Sequence, residues 1–475
     1  MSNKPAVVLE TPRRKGRMTL SNVLLVLGTS ILTMCLQNVA NYTIRMQNGD
    51  SPITSFGCHL EHEGVSTKHQ KTMVPLVHSS KQSSNQQPSN NKEQKQPRLV
   101  TVFSSGCSPS QDWQSQALLY SHQQQKIPGE LVRLLSCNNP DYPLPQTSYS
   151  KYRVVRTPDF SIHQGDDYSA RNRPAGMEYW LNGLSQDDPN PPSGHDTIIM
   201  AVDPDMIFLH SDAVEPLMRM VRPGYGVATA YEIGSEWVER RVEWRDFWCP
   251  PTNQKRKNET NQQLSCQPPT PSSDYDQSFG HPQLMTADDT KRQAKVWTTV
   301  TNDIRRGHKG WLAEMYSNVI AMRRANISVS VQDIMVSFPM QVEGREPWHS
   351  LQWYSPKPQK RIAPFMFIAH YCQQYQLGNF VFDKRKFDFW KNVDLNNCTA
   401  SPPEVWIPPS VDGETQDMIA RLKFNESLLR GQENVKEQPF ITVLARNGWF
   451  IDKVYSVVHE AMGAYYEEFC NHGSS

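Results

Sequence analysis

Apolar residues gather into short runs and helical stripes only beyond residue 97. LVTVF (99–103) and LVRLL (131–135) are apolar runs of strand length. Between them, Ser108-Pro109-Ser110-Gln111 has the form of a capping box with proline in the first helical turn. Trp113 and Leu118 then carry a helix to about residue 125, and Gly129 stops it. Strand, helix and strand at this spacing predict one βαβ unit with a right-handed crossover. After a stretch rich in proline and tyrosine, Pro174 opens a helix in which Met177, Trp180, Leu181 and Leu184 recur at helical spacing. The run IIMAV (198–202) predicts a buried strand whose end emerges at Asp203-Pro204-Asp205.

Beyond that point the pattern loosens. Residues 227–231 read as a strand, and the stretch 249–283, rich in Pro, Gln and Asn, reads as an inserted surface loop. Order returns at Lys295-Val296-Trp297. Residues 311–324 form an amphipathic helix with Leu312, Met315, Tyr316, Val319 and Ile320 on its apolar face. The run PFMFIA (364–369) predicts a strand ending at His370, and residues 416–430 and 451–469 read as helices. An alternating βαβα order defines an α/β fold with an open sheet, placed at 98–400, with a C-terminal helical extension at 401–475.

The N-terminal region is different. Residues 20–40 are mostly apolar and about as long as a bilayer is thick. Arg13, Arg14, Lys15 and Arg17 precede them, so 1–19 is expected to be a cytoplasmic tail and the remainder lumenal. A cleaved signal peptide is the alternative, but the apolar stretch is long for one. Residues 41–97 are poor in large apolar side chains, and SSKQSSNQQPSNNKEQKQP is low in complexity; this segment reads as a disordered stem. Sequons stand at Asn41, Asn258, Asn326, Asn397 and Asn425. Cys35 falls in the expected span, and the other eight of nine cysteines suit an oxidising compartment. The expected pairs are Cys107 with Cys137 and Cys249 with Cys266.

Lys plus Arg total 49 against 48 Asp plus Glu, a formal charge of +1. With no basic stripe, nucleic-acid binding is excluded as a function class. Asp203 and Asp205 at a strand end offer oxygen ligands to a hard divalent cation, Mn²⁺ or Mg²⁺, as needed to hold a nucleotide-diphosphate sugar. His370, at another strand end, is a candidate third ligand. Glu314 lies in the first turn of a helix, where the dipole favours it in any case; equally, it could face a cleft and contact a hydroxyl. Trp311 beside it is a sugar-stacking candidate or a core residue. Arg133 is placed to reach a nucleotide phosphate. Asp383-Lys384-Arg385 reads as a solvated turn, with phosphate neutralisation as the alternative. No zinc spacing, P-loop or Ser/His/Asp order occurs.

Several blocks in order resemble the hydroxyproline O-arabinosyltransferase and peptidyl-serine α-galactosyltransferase group of plants and algae. They are WQSQALLYSHQQQKIPGELVRLLSC (113–137), RPAGMEYWL (173–181), DPDMI, WTTVTNDI (297–304), GWLAEMY (310–316), HYC (370–372) and FDKR (382–385). WTTVTNDI is closer to the serine branch and FDKR to the arabinosyl branch, which usually has Glu-Pro-Asp in place of Asp203-Pro204-Asp205. The resemblance implies a GT-A-like fold and a type II membrane enzyme of the Golgi or endoplasmic reticulum. Its implied reaction moves sugar from a UDP-sugar to a peptidyl hydroxyl of a glycoprotein, most simply as a hydroxyproline O-arabinosyltransferase. Asp203, Asp205 and His370 would hold the cation, Mn²⁺ first, and Glu314 and Asp303 would orient acceptor or donor. A silent lumenal binding protein and a nucleotide-sugar hydrolase are the rival readings.

Overall fold

The computed structural model describes residues 97–231, 279–337, 367–377, 380–385, 393–398 and 439–470. The expected span at 20–40, the Cys249–Cys266 pair and the helix at 416–430 lie outside them, and the stem lies outside them but for its final residue. Among the described residues no helix is long and apolar enough to cross a membrane.

Chain order begins with β1 (Arg98–Gly106), α1 (Pro109–Gln124), β2 (Glu130–Ser136) and β3 (Tyr152–Thr157). The two-residue strands β4 (Ile162–His163) and β5 (Asp166–Asp167) pair in a small hairpin. Next come α2 (Asn172–Leu181), β6 (Thr197–Val202), β7 (Met206–Phe208), α3 (Val214–Met220) and β8 (Tyr225–Ala230). β9 (Phe279–Thr286), α4 (Ala287–Gly307), α5 (Ala313–Arg324), β10 (Ser328–Gln332) and β11 (Met335–Val336) follow. The last elements are β12 (Ile368–His370), β13 (Gln374–Leu377), β14 (Phe380–Asp383) and α6 (Pro439–Phe469).

Seven strands form the main sheet in the order β10-β8-β9-β6-β1-β2-β3. β3, β2, β1 and β6 are parallel, while β9 runs antiparallel to both β6 and β8. A mixed α/β architecture with a large central sheet fits a GT-A-like domain. Alternation along the strands builds two buried faces. Leu99, Phe103, Ile198, Met200 and Val202 pack with Leu118 and Leu119 of α1. Val100, Val102, Ile199 and Ala201 pack with Met177 and Trp180 of α2 and with Ala294 of α4. The predicted cap of α1 is present, with the Ser108 hydroxyl accepting from the Gln111 amide at 3.3 Å.

Three expectations are corrected. The loop predicted to run to residue 283 ends earlier, because 279–283 lie in β9, inside the sheet. The last helix starts at Pro439, well before residue 451. Its Phe450, Val454, Val458 and Met462 also belong to one core cluster with Trp113 of α1 and with Tyr371 and Tyr375, so this helix is part of the domain core. The Cys107–Cys137 disulfide is formed, joining the ends of β1 and β2. A second disulfide, Cys398–Cys470, ties the end of α6 to the body.

Candidate active site

Strand order reverses beside β1: the chain runs outward through β2 and β3, then returns to β6 on the other side. Open α/β sheets bind ligands at the carboxyl ends of strands at such a switch point. Asp203 and Asp205 stand there, directly after β6, in a turn closed by the Met206 amide donating to the Asp203 carbonyl at 3.2 Å. Ala201 faces α2, and the alternation of the strand carries Asp203 toward the same side.

His370 reaches this turn through a second sheet. β12 pairs antiparallel with β7, setting His370 opposite Met206, and the Tyr371 amide donates to the Asp205 carbonyl at 3.0 Å. His370 Nε2 lies 3.3 Å from Asp205 Oδ2 and 3.8 Å from Asp203 Oδ2. The three side chains are buried, and one ligand atom from each lies within 4.8 Å of the others. Two carboxylates and an imidazole so arranged are a donor set for a divalent cation.

Basic side chains face the same carboxylates. Arg173, at the start of α2, places Nη2 2.6 Å from Asp203 Oδ1, and Lys384, just past β14, pairs with Asp205 Oδ2. The Arg173 contact is an ion pair without aligned hydrogen-bond geometry, for no donor is aimed at that oxygen. Arg173 Nη1 also lies 3.3 Å from both Glu314 oxygens and 3.3 Å from His281 Nδ1. Glu314 is therefore joined to Asp203 through one guanidinium. Its backbone amide donates to the Tyr168 hydroxyl at 2.9 Å, and that hydroxyl donates to the Trp311 carbonyl.

The environment shifts these groups in different directions. Burial pushes the Glu314 carboxyl up to about 7, with Arg173 offsetting only part of the rise. Burial pushes His281 down to about 3, so its imidazole is neutral at physiological pH. For Asp205 burial acts upward, but the charges of Lys384 and His370 outweigh it and hold the carboxyl well below its usual range. Burial acts downward on His370, and Cys372 and Asp205 outweigh it, so a cation competes with a proton at that imidazole.

The structure thus brings together Asp203, Asp205 and His370, with Glu314 adjoining, and sets three other candidates apart. Arg133 is fully buried: Nη2 donates to Asp112 Oδ1 at 2.8 Å and Nε to the Ser105 hydroxyl at 2.7 Å. Asp303 pairs with Arg306 of its own helix at 2.9 Å. Trp311 is 64% exposed, with its ring edge-on to Tyr168. Lys384 is no solvated turn residue, since its side chain is only 17% exposed and bound to Asp205. Sequence reasoning missed His281, hidden in the supposed loop, and Arg173, whose position at the start of a helix was the available signal.

No protein-family model matches the chain. A peptidyl serine alpha-galactosyltransferase of Arabidopsis thaliana is 24% identical over 344 residues, covering 68% of this chain and 36% of the relative. The match therefore spans only about a third of that protein's length. The relative lies within the group that the sequence blocks resemble, and the resemblance to that group stands.

Proposed function

We propose that the chain transfers a sugar from a UDP-sugar to a hydroxyl group of a peptidyl acceptor. The observation that carries this reading is the buried Asp203–Asp205–His370 cluster at the carboxyl end of β6, the place where such a sheet takes a nucleotide ligand. The glycosyltransferase relative supports it. Asp203, Asp205 and His370 would hold a divalent cation, Mn²⁺ or Mg²⁺, which as a Lewis acid offsets charge on the departing diphosphate. Arg173 supplies a positive charge beside both Asp203 and Glu314. Glu314, titrating near neutrality, accepts a hydrogen bond from an acceptor or sugar hydroxyl once ionised. Burial around it excludes bulk water, which favours transfer over hydrolysis.

The relative's name favours serine as acceptor and galactose as the sugar moved. The FDKR block favours the second reading, arabinofuranose onto hydroxyproline. The domain is proposed to work in the lumen of the Golgi or endoplasmic reticulum, held by residues 20–40. Two disulfides and exposed sequons at Asn326 and Asn397 accord with that compartment.

A panel of UDP-sugars with Mn²⁺, against serine-bearing and hydroxyproline-bearing peptides, tests the proposal. Transfer with one donor and one acceptor is expected. Asp203→Asn and Asp205→Asn should each lower it by about 100-fold or more while the fold is kept. Absence of transfer to any peptide by folded protein, or full activity in either variant, overturns it.

A further inference from the structure

Lys384 and Asp205 form a contact that bears on how the site loads. Asp205 is 4% exposed, and a buried carboxylate needs a compensating charge. Lys384 supplies it on Oδ2, the same oxygen that faces His370 Nε2 at 3.3 Å. A cation held between His370 Nε2 and the Asp205 oxygen that faces it takes the oxygen Lys384 now holds, and an ammonium and a divalent ion cannot both sit on it without strong repulsion. On the other aspartate, Arg173 is committed to Oδ1 of Asp203, and the remaining oxygen lies 3.8 Å from His370 Nε2. The charges of the two aspartates are thus already balanced by Lys384 and Arg173 before any ion arrives.

We propose that Lys384 is an exchangeable counterion: it leaves Asp205 when a divalent cation takes that carboxylate, and binds the diphosphate that accompanies the cation. This rests on the nucleotide-sugar reading above and deepens it. The reason is charge. Two further positive charges in a balanced, buried site are costly alone, and a diphosphate supplies the missing negative charge. Lys384 is suited to the exchange by its place, one residue past β14, and by a flexible four-carbon stem, the side chain being 17% exposed. Arg173 is not suited in the same way, since its guanidinium is shared among Asp203, Glu314 and His281. Cation and diphosphate therefore bind as a pair, and Lys384 is the residue that couples them.

The test is a Mn²⁺ titration of the full chain, read by the electron-spin signal of free Mn²⁺, alone, with UDP and with UMP. In the wild type, UDP should tighten Mn²⁺ binding by about tenfold or more, and UMP, which lacks the diphosphate, should not. Lys384→Met should tighten Mn²⁺ binding in the absence of nucleotide and reduce the gain given by UDP. Equal Mn²⁺ affinity with and without UDP in the wild type overturns the proposal, and this arm requires no variant. So does a Lys384→Met protein, folded by its melting curve, in which both affinities are unchanged. If Mn²⁺ and UDP bind tightly together but Lys384→Met changes neither, the exchange fails while the nucleotide-sugar reading stands. If neither binds in any arm, both fail.

Discussion

Glu314 and His281 both lie 3.3 Å from Arg173 Nη1 and respond to pH with opposite sign. The carboxyl of Glu314 rises from 4.5 to about 7 on folding, so between those values the native state holds more protons than the unfolded chain. Stability from this group is full below about 4.5 and is lost as pH rises through about 7. His281 falls from 6.5 to about 3, so the native state holds fewer protons in that window, and stability rises with pH from about 3 to 6.5. Melting temperatures across pH should show that Glu314→Gln removes a downward slope between pH 5 and 7, a window set by that shift. A variant with the same slope as the wild type would contradict the burial argument. Arg133 shows how a lone charge in an apolar strand misleads. Its partner Asp112 comes from the first turn of α1, a contact that no spacing along β2 reveals. Arg133→Met leaves Asp112 buried without a counterion and should cost about 3–5 kcal/mol in chemical denaturation. UDP affinity should be unchanged, whereas a phosphate ligand would lose it.

Elements were legible where their signals are local. The cap at Ser108, the stripe Met177–Trp180–Leu181–Leu184 and the run before Asp203 each lie within a few residues, and all gave elements close to those observed, except that the helix ends at Leu181 and leaves Leu184 exposed. β9 was not legible. His281-Pro282 breaks the apolar pattern, and proline in a central strand removes a ladder donor. The register between β8 and β9 shifts between Ala228 and Thr229, a local irregularity that accommodates the break. β3 was missed for another reason: Arg153 and Arg156 belong to an edge strand, where polar residues are normal. At element scale the position of α2 sets the position of Arg173. Gly176 of this helix faces Thr157 and Ser136, and a Cβ there would lie 3.5 Å from Thr157 Oγ1, ordinary contact. Gly176→Ala should thus be tolerated or slightly stabilising, by up to about 1 kcal/mol through helix propensity. Gly176→Leu overfills the gap, should cost about 1–3 kcal/mol, and should weaken UDP binding by shifting Arg173. Equal UDP affinity in the two variants would separate helix position from the site.

For the whole molecule, the question is how far the C-terminal helix reaches into the chemistry. Residues 399–438 separate it in sequence from the rest of the domain, so nothing local in the chain announced that it completes the core. Phe450 stacks on Tyr375 with ring centroids 4.3 Å apart. The Tyr375 hydroxyl in turn lies 2.9 Å from the His370 carbonyl and 3.0 Å from that of Ser337. One packing contact on α6 is therefore two steps from the imidazole that faces Asp203 and Asp205. Phe450→Ala opens a cavity in this cluster and should cost about 3–5 kcal/mol. If α6 only fills space, Mn²⁺ affinity measured well below the melting temperature will match that of the wild type. If Tyr375 positions His370, affinity should fall by about 10–100-fold, the usual cost of losing a ligand's support. Tyr375→Phe discriminates further, since it keeps the stacking and removes only the hydroxyl. It should reproduce most of the loss in Mn²⁺ affinity with much less loss of stability. That pair of variants separates the helix as structural cover from the helix as the outer support of the site. The continuous path Phe450–Tyr375–His370 supports the second.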